Sequence, residues 1–292
     1  MIDHYLNKKQ MNFGINTFLF TSPFTNDSIS LFPKFKKWGF DSVEIALEDV
    51  SHIDPSFIKK ALDQNGLNCN SICAAMGPGR DLRGTNEEQN IAIEYIKSVL
   101  NIMPELGCPI LIGPLYSTVG RAEPVEKEQY KIQWNTVVEH LKMLSEYAEK
   151  SGLKLAIEPL NRYETDFINT CEQGLKMIND VASDALMLHL DTYHMNIEEK
   201  DQSKAILNAG IKLGHFHACG SDRGTPGGDQ INWKNIRAAL KKVNYSGSVV
   251  IESFTTDVKV IAKAASIWRD FEPSQEDIAI KGLEFLKSFF KN

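Results

Sequence analysis

The sequence predicts a single-domain (β/α)8 barrel across 1–292, with 1–10 a short N-terminal extension and 11–292 the barrel itself. Three observations carry this. Short apolar runs alternate with amphipathic stretches eight times, a pattern that calls for parallel strands joined by right-handed crossovers. No Ser/Gly linker or composition break divides the chain. A doubly wound open sheet, the runner-up, would usually carry a glycine fingerprint such as GxGxxG at its first strand-to-helix turn, and FGINTFLF has none.

The first strand is MNFGINTFLF, running into the loop TSPFTND. Asp27 is expected to cap the helix SISLFPKFKKW, in which Pro33 forces a late start or a kink, and Gly39 to end it. DSVEIAL is the second strand. Its helix, DPSFIKKALDQNG, has Asp54 as cap, Pro55 in the first turn and Gly66 as terminator. LNCNSICAAM is the third strand, followed by the loop GPGRDLRG and a helix from about Asn86 to Leu106, closed by Gly107. CPILIGP is the fourth, and the polar loop YSTVGRAEPVEKEQ leads from it into a helix ending near Lys150. The last four units pair LKLAIEPL with CEQGLKMINDVA, ALMLHLDT with DQSKAILNAG, IKLGHFHACG with NWKNIRAALKKV, and GSVVIESF with SQEDIAIKGLEFLKSFF. Eight strands and eight helices are expected.

Hydrophobic content of 42% and charged content of 24% are ordinary for a globular protein, and no stretch approaches the roughly 20 apolar residues needed to span a bilayer. A membrane partner is therefore not expected. The opening MIDHYLNKKQ has no apolar core of a secretory signal, so a cytoplasmic location is expected. The five cysteines are an odd number without a CxxC pair and read as buried core residues in a reducing compartment. A formal charge of −6 and an isoelectric point near 5.7 argue against a nucleic-acid partner, which needs clustered Lys and Arg.

Function is concentrated at four strand ends. LAIE delivers Glu158 and is stopped by Pro159; LMLHLD ends at Asp191, KLGHFH at His217 and SVVIE at Glu252. In a barrel, side chains at the C-terminal strand ends converge. Three carboxylates and one imidazole suit a divalent ion of the Mn²⁺, Mg²⁺ or Co²⁺ kind better than structural zinc, which favours thiolates and more imidazoles. Like charges brought together without a cation would repel or stay protonated, so the set itself predicts a metal. His189 and His215 sit two residues earlier on the same strand faces and are expected deeper in the barrel, as hydrogen-bonded interior histidines.

The stretches LAIEPLNRYETDFINT, LHLDTYHMNIEE, GHFHACGSDRGTPGG, VVIESF and SIWRD resemble the D-tagatose 3-epimerase and D-psicose (D-allulose) 3-epimerase family, which includes L-ribulose 3-epimerases and belongs to the xylose-isomerase-like TIM barrels. The resemblance covers nearly the whole chain after the first ten residues. It implies a TIM barrel enzyme, an isomerase, that inverts C3 of a free ketohexose or ketopentose such as D-tagatose, D-psicose, D-fructose or L-ribulose. It implies one divalent ion per chain, usually Mn²⁺ or Co²⁺ with Mg²⁺ the further candidate, on Glu158, Asp191, His217 and Glu252. Glu158 and Glu252 would also be the catalytic acid/base pair, with Glu164, His194 and Arg223 holding the sugar's oxygens. A homodimer or homotetramer is expected on the same ground.

The chemistry explains the residue types. Inverting C3 means removing the proton adjacent to the C2 carbonyl and returning one to the opposite face, which calls for two acid/base groups flanking the carbon. The far end of the sugar is expected to meet Phe18, Phe20, Phe24, Leu47, Met76, Leu115 and Tyr116. The glycine-rich GSDRGTPGGD is read as the loop that positions Arg223 rather than as a phosphate cradle. Psicose 3-epimerases often carry a glutamate shortly after the histidine, where this chain has Cys219, Gly220 and Ser221, a departure that bears on substrate preference. The rival readings are an aldose-ketose isomerase on the same barrel, a histidine-rich three-zinc endonuclease, and a non-catalytic sugar-binding barrel. The strand ends lack the histidines that the endonuclease needs, and a binding relic would be expected to have lost a ligand or a glutamate.

Overall fold

The computed structural model describes residues 11–290; the expected extension, 1–10, lies outside them. Strands β1 (Asn12–Asn16), β2 (Ser42–Leu47), β3 (Asn68–Ala74), β4 (Ile110–Gly113), β5 (Lys154–Ile157), β6 (Leu186–Asp191), β7 (Leu213–Ala218) and β8 (Ser248–Ile251) pair in chain order, and β8 returns to β1 to close a parallel barrel. Among the described residues there are ten α-helices, not eight: α1 (Phe32–Trp38), α2 (Pro55–Gln64), α3 (Asn86–Leu106), α4 (Lys127–Glu149), α5 (Cys171–Val181), α6 (Thr192–Glu198), α7 (Gln202–Ala209), α8 (Trp233–Lys242), α9 (Lys259–Ala264) and α10 (Gln275–Phe290). The two that the sequence pattern does not predict, α6 and α9, are single short segments set into the loops after β6 and β8. Seven and six residues are too few to show a helical period.

Most expected caps are present. Asp54 accepts from the backbone N–H groups of Ser56 and Phe57, and Gly39 and Gly107 end α1 and α3 in the left-handed conformation that glycine adopts freely. Asp27 is a correction. It lies inside a 3₁₀ stretch, Asn26–Leu31, that begins after Thr25, so the α-helix starts only at Phe32 and Pro33 falls in its first turn, where no N–H is needed.

Side chains alternate along each strand between two surroundings. Phe13 and Ile15, Val43, Ile45 and Leu47, Leu155 and Ile157, Leu186, Leu188 and Leu190, and Val249 and Ile251 face outward into the apolar layer shared with the helices. Each fully buried side chain of this size contributes about 1.5–3 kcal/mol. Intervening residues face the barrel interior. Ala46, Cys73, Ile110, Ile112 and Ala156 form a small apolar plug there, while Asn16, Glu44, Ser71, His189, His215 and His217 form a buried polar set. The loops above are tied across the barrel mouth. Buried Arg83 donates to Ser117 Oγ at 3.0 Å and Gln133 Oε1 at 3.2 Å and pairs with Asp166, and Arg121 pairs with Asp81 at 2.7 Å.

Candidate active site

The same alternation that sends leucines outward sends one polar side chain inward at each of four neighbouring strand ends. Asp191 is the last residue of β6 and His217 the penultimate residue of β7; Glu158 and Glu252 directly follow β5 and β8. The register sets Asp191 beside His217 and His217 beside Val250. All four are buried, and one donor atom from each lies within 4.8 Å of the others. Asp191 also caps α6, its Oδ1 accepting from Tyr193 N at 2.6 Å.

The charges in this cluster are unequal. Burial, followed by the repulsion of Glu252, pushes the Glu158 carboxyl well above its ordinary range. Burial would raise Glu252 as well, but His217 and Arg223 outweigh it and hold Glu252 below its ordinary value. Burial would lower His217, yet the pull of Glu44 and Glu252 raises it well above the usual imidazole range. Glu158 Oε1 and His217 Nδ1 are buried without a hydrogen-bond partner among the described residues. Such unsatisfied buried groups cost about 1–3 kcal/mol each. An oxygen-rich set that includes one imidazole, with two of the set's polar atoms lacking a partner among the described residues, fits a hard divalent cation.

His194, on α6, is a directed donor. Its Nδ1 accepts from Asn161 N at 3.1 Å, which leaves the proton on Nε2, and Nε2 has no partner among the described residues and lies 3.8 Å from Glu158 Oε1. Burial, with Arg223 adding to it, holds the ring neutral by lowering its pKa well below the ordinary value. Arg223 sits at a left-handed backbone position, φ 71°, in the loop after β7. Its guanidinium lies between the rings of Tyr193 and Phe254, at 4.8 and 4.7 Å, and reaches Asp191 through Nη1 and Glu252 Oε2 through Nη2 at 2.9 Å. Half-buried Glu164 accepts from Asn161 Nδ2 at 2.8 Å.

Glu158, Glu164, His194, Arg223 and Glu252 all line one cavity of about 340 Å³ at the barrel mouth, a size that suits a small molecule. Its remaining wall is mostly apolar. Phe18 and Met76 line it as expected, but Phe20, Phe24, Leu47, Leu115 and Tyr116 do not. Phe24, Leu47, Leu115 and Tyr116 have no exposure because they are packed into the main apolar core, Tyr116 against Phe167, and Phe20 packs on Phe35 and Trp38. The wall is completed instead by Phe254 and by Val260, Ile261 and Ala264 of α9.

Two further residues differ from expectation. His189 makes no hydrogen bond among the described residues; its ring packs edge-on against His215 and His217, with centroids at 4.9 and 4.1 Å. Those two imidazoles are both turned toward Glu44, and Glu158 Oε2 lies 3.5 Å from His189 Nδ1, outside hydrogen-bonding geometry. Glu44 is the second, a buried site residue that the strand-end pattern does not single out. Its signal in the sequence is a carboxylate at an inward position of the apolar strand SVEIAL.

The architecture and the clustered strand ends define a class. The family model described as xylose isomerase-like TIM barrel matches residues 32–289, and the chain belongs to that family. Its relatives narrow the class. A probable ketose 3-epimerase of Synechocystis sp. is 36% identical over 98% of this chain and 99% of the relative, and a D-psicose 3-epimerase of Agrobacterium fabrum is 31% identical over 81% and 83%. A crystal structure of D-allulose 3-epimerase from Methylomonas sp. in complex with D-allulose superposes with a TM-score of 0.88 at 29% identity, covering 96% of this chain and 97% of that one. Within the family, then, the chain's kin are ketose 3-epimerases, which are isomerases. Among the described residues no helix is long and apolar enough to cross a membrane.

Proposed function

We propose that this chain is a ketose 3-epimerase acting on a free ketohexose or ketopentose, with Glu158 and Glu252 as its acid/base pair. The observation that carries the reading is the placement of these two buried glutamates, from β5 and β8, on one sugar-sized cavity with their proton affinities pushed in opposite directions. That is the pattern of one acid and one base.

Glu252, the carboxylate, takes the proton from C3. The electron pair of that C–H bond forms the C2–C3 double bond of an enediolate, and negative charge develops on O2. Glu158, the carboxylic acid, returns a proton to the opposite face of C3 as the carbonyl re-forms, and in the reverse direction the roles exchange. The Nε2–H of His194 and the Arg223 guanidinium are the donors placed for the developing charge on O2, a kind of stabilisation worth about 2.7–4 kcal/mol per donor in well-built sites. Glu164 accepts from a sugar hydroxyl. Glu158, Asp191, His217 and Glu252 would hold one divalent ion, with Mn²⁺ ahead of Co²⁺ and Mg²⁺ because the donor set mixes hard oxygens with an imidazole. That ion, when bound, supplies Lewis-acid polarisation of the carbonyl.

Incubation of D-fructose, D-tagatose and L-ribulose with the Mn²⁺-supplemented protein tests the reading, with products separated by chromatography. D-Psicose, D-sorbose or L-xylulose is expected from the respective sugar. An aldose product would instead show proton movement between C1 and C2.

Metal binding is expected to depend on pH. Ligation needs the lone pair of His217 Nδ1 and competes with protons at Glu158, and both groups have raised proton affinity in the metal-free site. Affinity should therefore climb as pH rises toward those elevated values, with protons released on binding. Calorimetry in buffers of different ionisation enthalpy measures that release; a pH-independent affinity with no proton release would contradict raised proton affinity at these two ligands.

A further inference from the structure

Glu44 lies mid-way along β2 with no exposed surface, and a buried carboxylate is costly unless its oxygens are filled. They are. Oε1 accepts from Asn16 Nδ2 at 2.7 Å and from His217 Nε2 at 2.7 Å. Oε2 accepts from Ser71 Oγ at 2.5 Å, and His215 Nε2 stands 2.7 Å from it, off hydrogen-bonding angle. Two of these contacts lead straight to the active site. The other nitrogen of His217, Nδ1, lies 3.1 Å from Glu252 Oε2, off hydrogen-bonding angle, and 3.8 Å from Asp191 Oδ2. The Nδ2 of Asn16 is shared with Glu252 Oε1 at 3.0 Å, and its orientation is fixed because Asn16 Oδ1 accepts from Phe18 N at 2.8 Å.

We infer that Glu44 is a positioning residue for the metal centre. As an acceptor-only carboxylate it keeps a proton of His217 on Nε2, so that Nδ1 is the nitrogen offered to the metal, and through Asn16 it fixes the orientation of Glu252. A ring has two nitrogens, and the one that ligates is set by the hydrogen bond of the other. Only a carboxylate can accept from Asn16, Ser71 and His217 together. This inference rests on the metal reading of the four strand-end residues.

The test is Glu44→Gln, which keeps the shape but replaces one acceptor oxygen with an NH₂ that faces donors. Mn²⁺ affinity by calorimetry is expected to fall about 10- to 100-fold, while the metal-free variant keeps its far-UV circular dichroism and a cooperative melt. Ser71→Ala serves as the control: it removes a donor to Glu44 without touching His217 and should bind Mn²⁺ nearly as the parent does. An equal loss in both variants would mean general loosening of the interior and would overturn the assignment. The tautomer is read independently of folding in the variant, from long-range ¹⁵N–¹H correlation spectra of the unsubstituted protein loaded with Zn²⁺. A proton on His217 Nε2 supports the inference and a proton on Nδ1 overturns it. Parent-like Mn²⁺ affinity in Glu44→Gln removes only the role of Glu44. Failure of the parent protein to bind Mn²⁺, Co²⁺ or Mg²⁺ removes the metal centre and this inference with it.

Discussion

Replacing Glu252 or Glu158 by Gln is expected to cut turnover by about 10²- to 10⁴-fold, the range associated with a lost general acid or base. Glutamine keeps the side chain's length and one oxygen but neither takes nor gives a proton at C3. Because each glutamate is also placed to hold the metal, the assay must be run at saturating Mn²⁺, so that a weakened site is not mistaken for lost proton transfer. The two losses should not add. Either variant interrupts the same two-face exchange, and the double variant should be little slower than the slower single one. His217, Arg223 and Asn16, the nearest partners of Glu252, remain paired with other groups in Glu252→Gln, so the fold should survive. Turnover near that of the parent in either variant would contradict the two-glutamate exchange.

Metal withdrawal is the second large effect. Dialysis against EDTA is expected to abolish epimerisation, and Mn²⁺ to restore it, because the carbonyl then lacks its Lewis acid. Stability should follow activity. A ligand that binds only the folded chain adds about 2.7 kcal/mol at a hundredfold excess over its Kd, and in a large domain each kcal/mol moves Tm by roughly 2–4 °C. The metal-free chain should nevertheless remain folded. Arg223 bridges Asp191 and Glu252, and His217 lies between Glu44 and Glu252, so the carboxylates already have positive partners. Full activity after exhaustive chelation, or an unchanged Tm, would speak against a metal at these residues.

Much of the fold is legible in the chain because it depends on local rules. Short apolar runs mark the strands, Asp54, Gly39 and Gly107 mark helix ends through cap geometry, and the shared inward parity of His189 with Asp191 and of His215 with His217 follows from counting along each strand. What stays hidden depends on register between strands and on loops. Glu44 meets Ser71 only because the β2–β3 pairing shifts by one residue after Val43, and it reaches His217 across the barrel interior, a contact between residues far apart in sequence. A hydrogen bond is the natural expectation for buried His189, but which partner an interior imidazole finds is decided by its neighbours on other strands. The cavity wall from α9 is invisible for the same reason: KVIAKA shows no amphipathic period in six residues, and its role comes from where the loop after β8 places it.

Everything in this mechanism turns on proton exchange at C3 from two sides, which proton NMR of D-fructose, D-tagatose and L-ribulose in D₂O with the Mn²⁺-loaded protein would follow atom by atom. Deuterium is expected at C3 together with appearance of the C3 epimer, both lost on adding EDTA. Deuterium at C1 with an aldose, or no exchange with any of the three sugars, would contradict the mechanism.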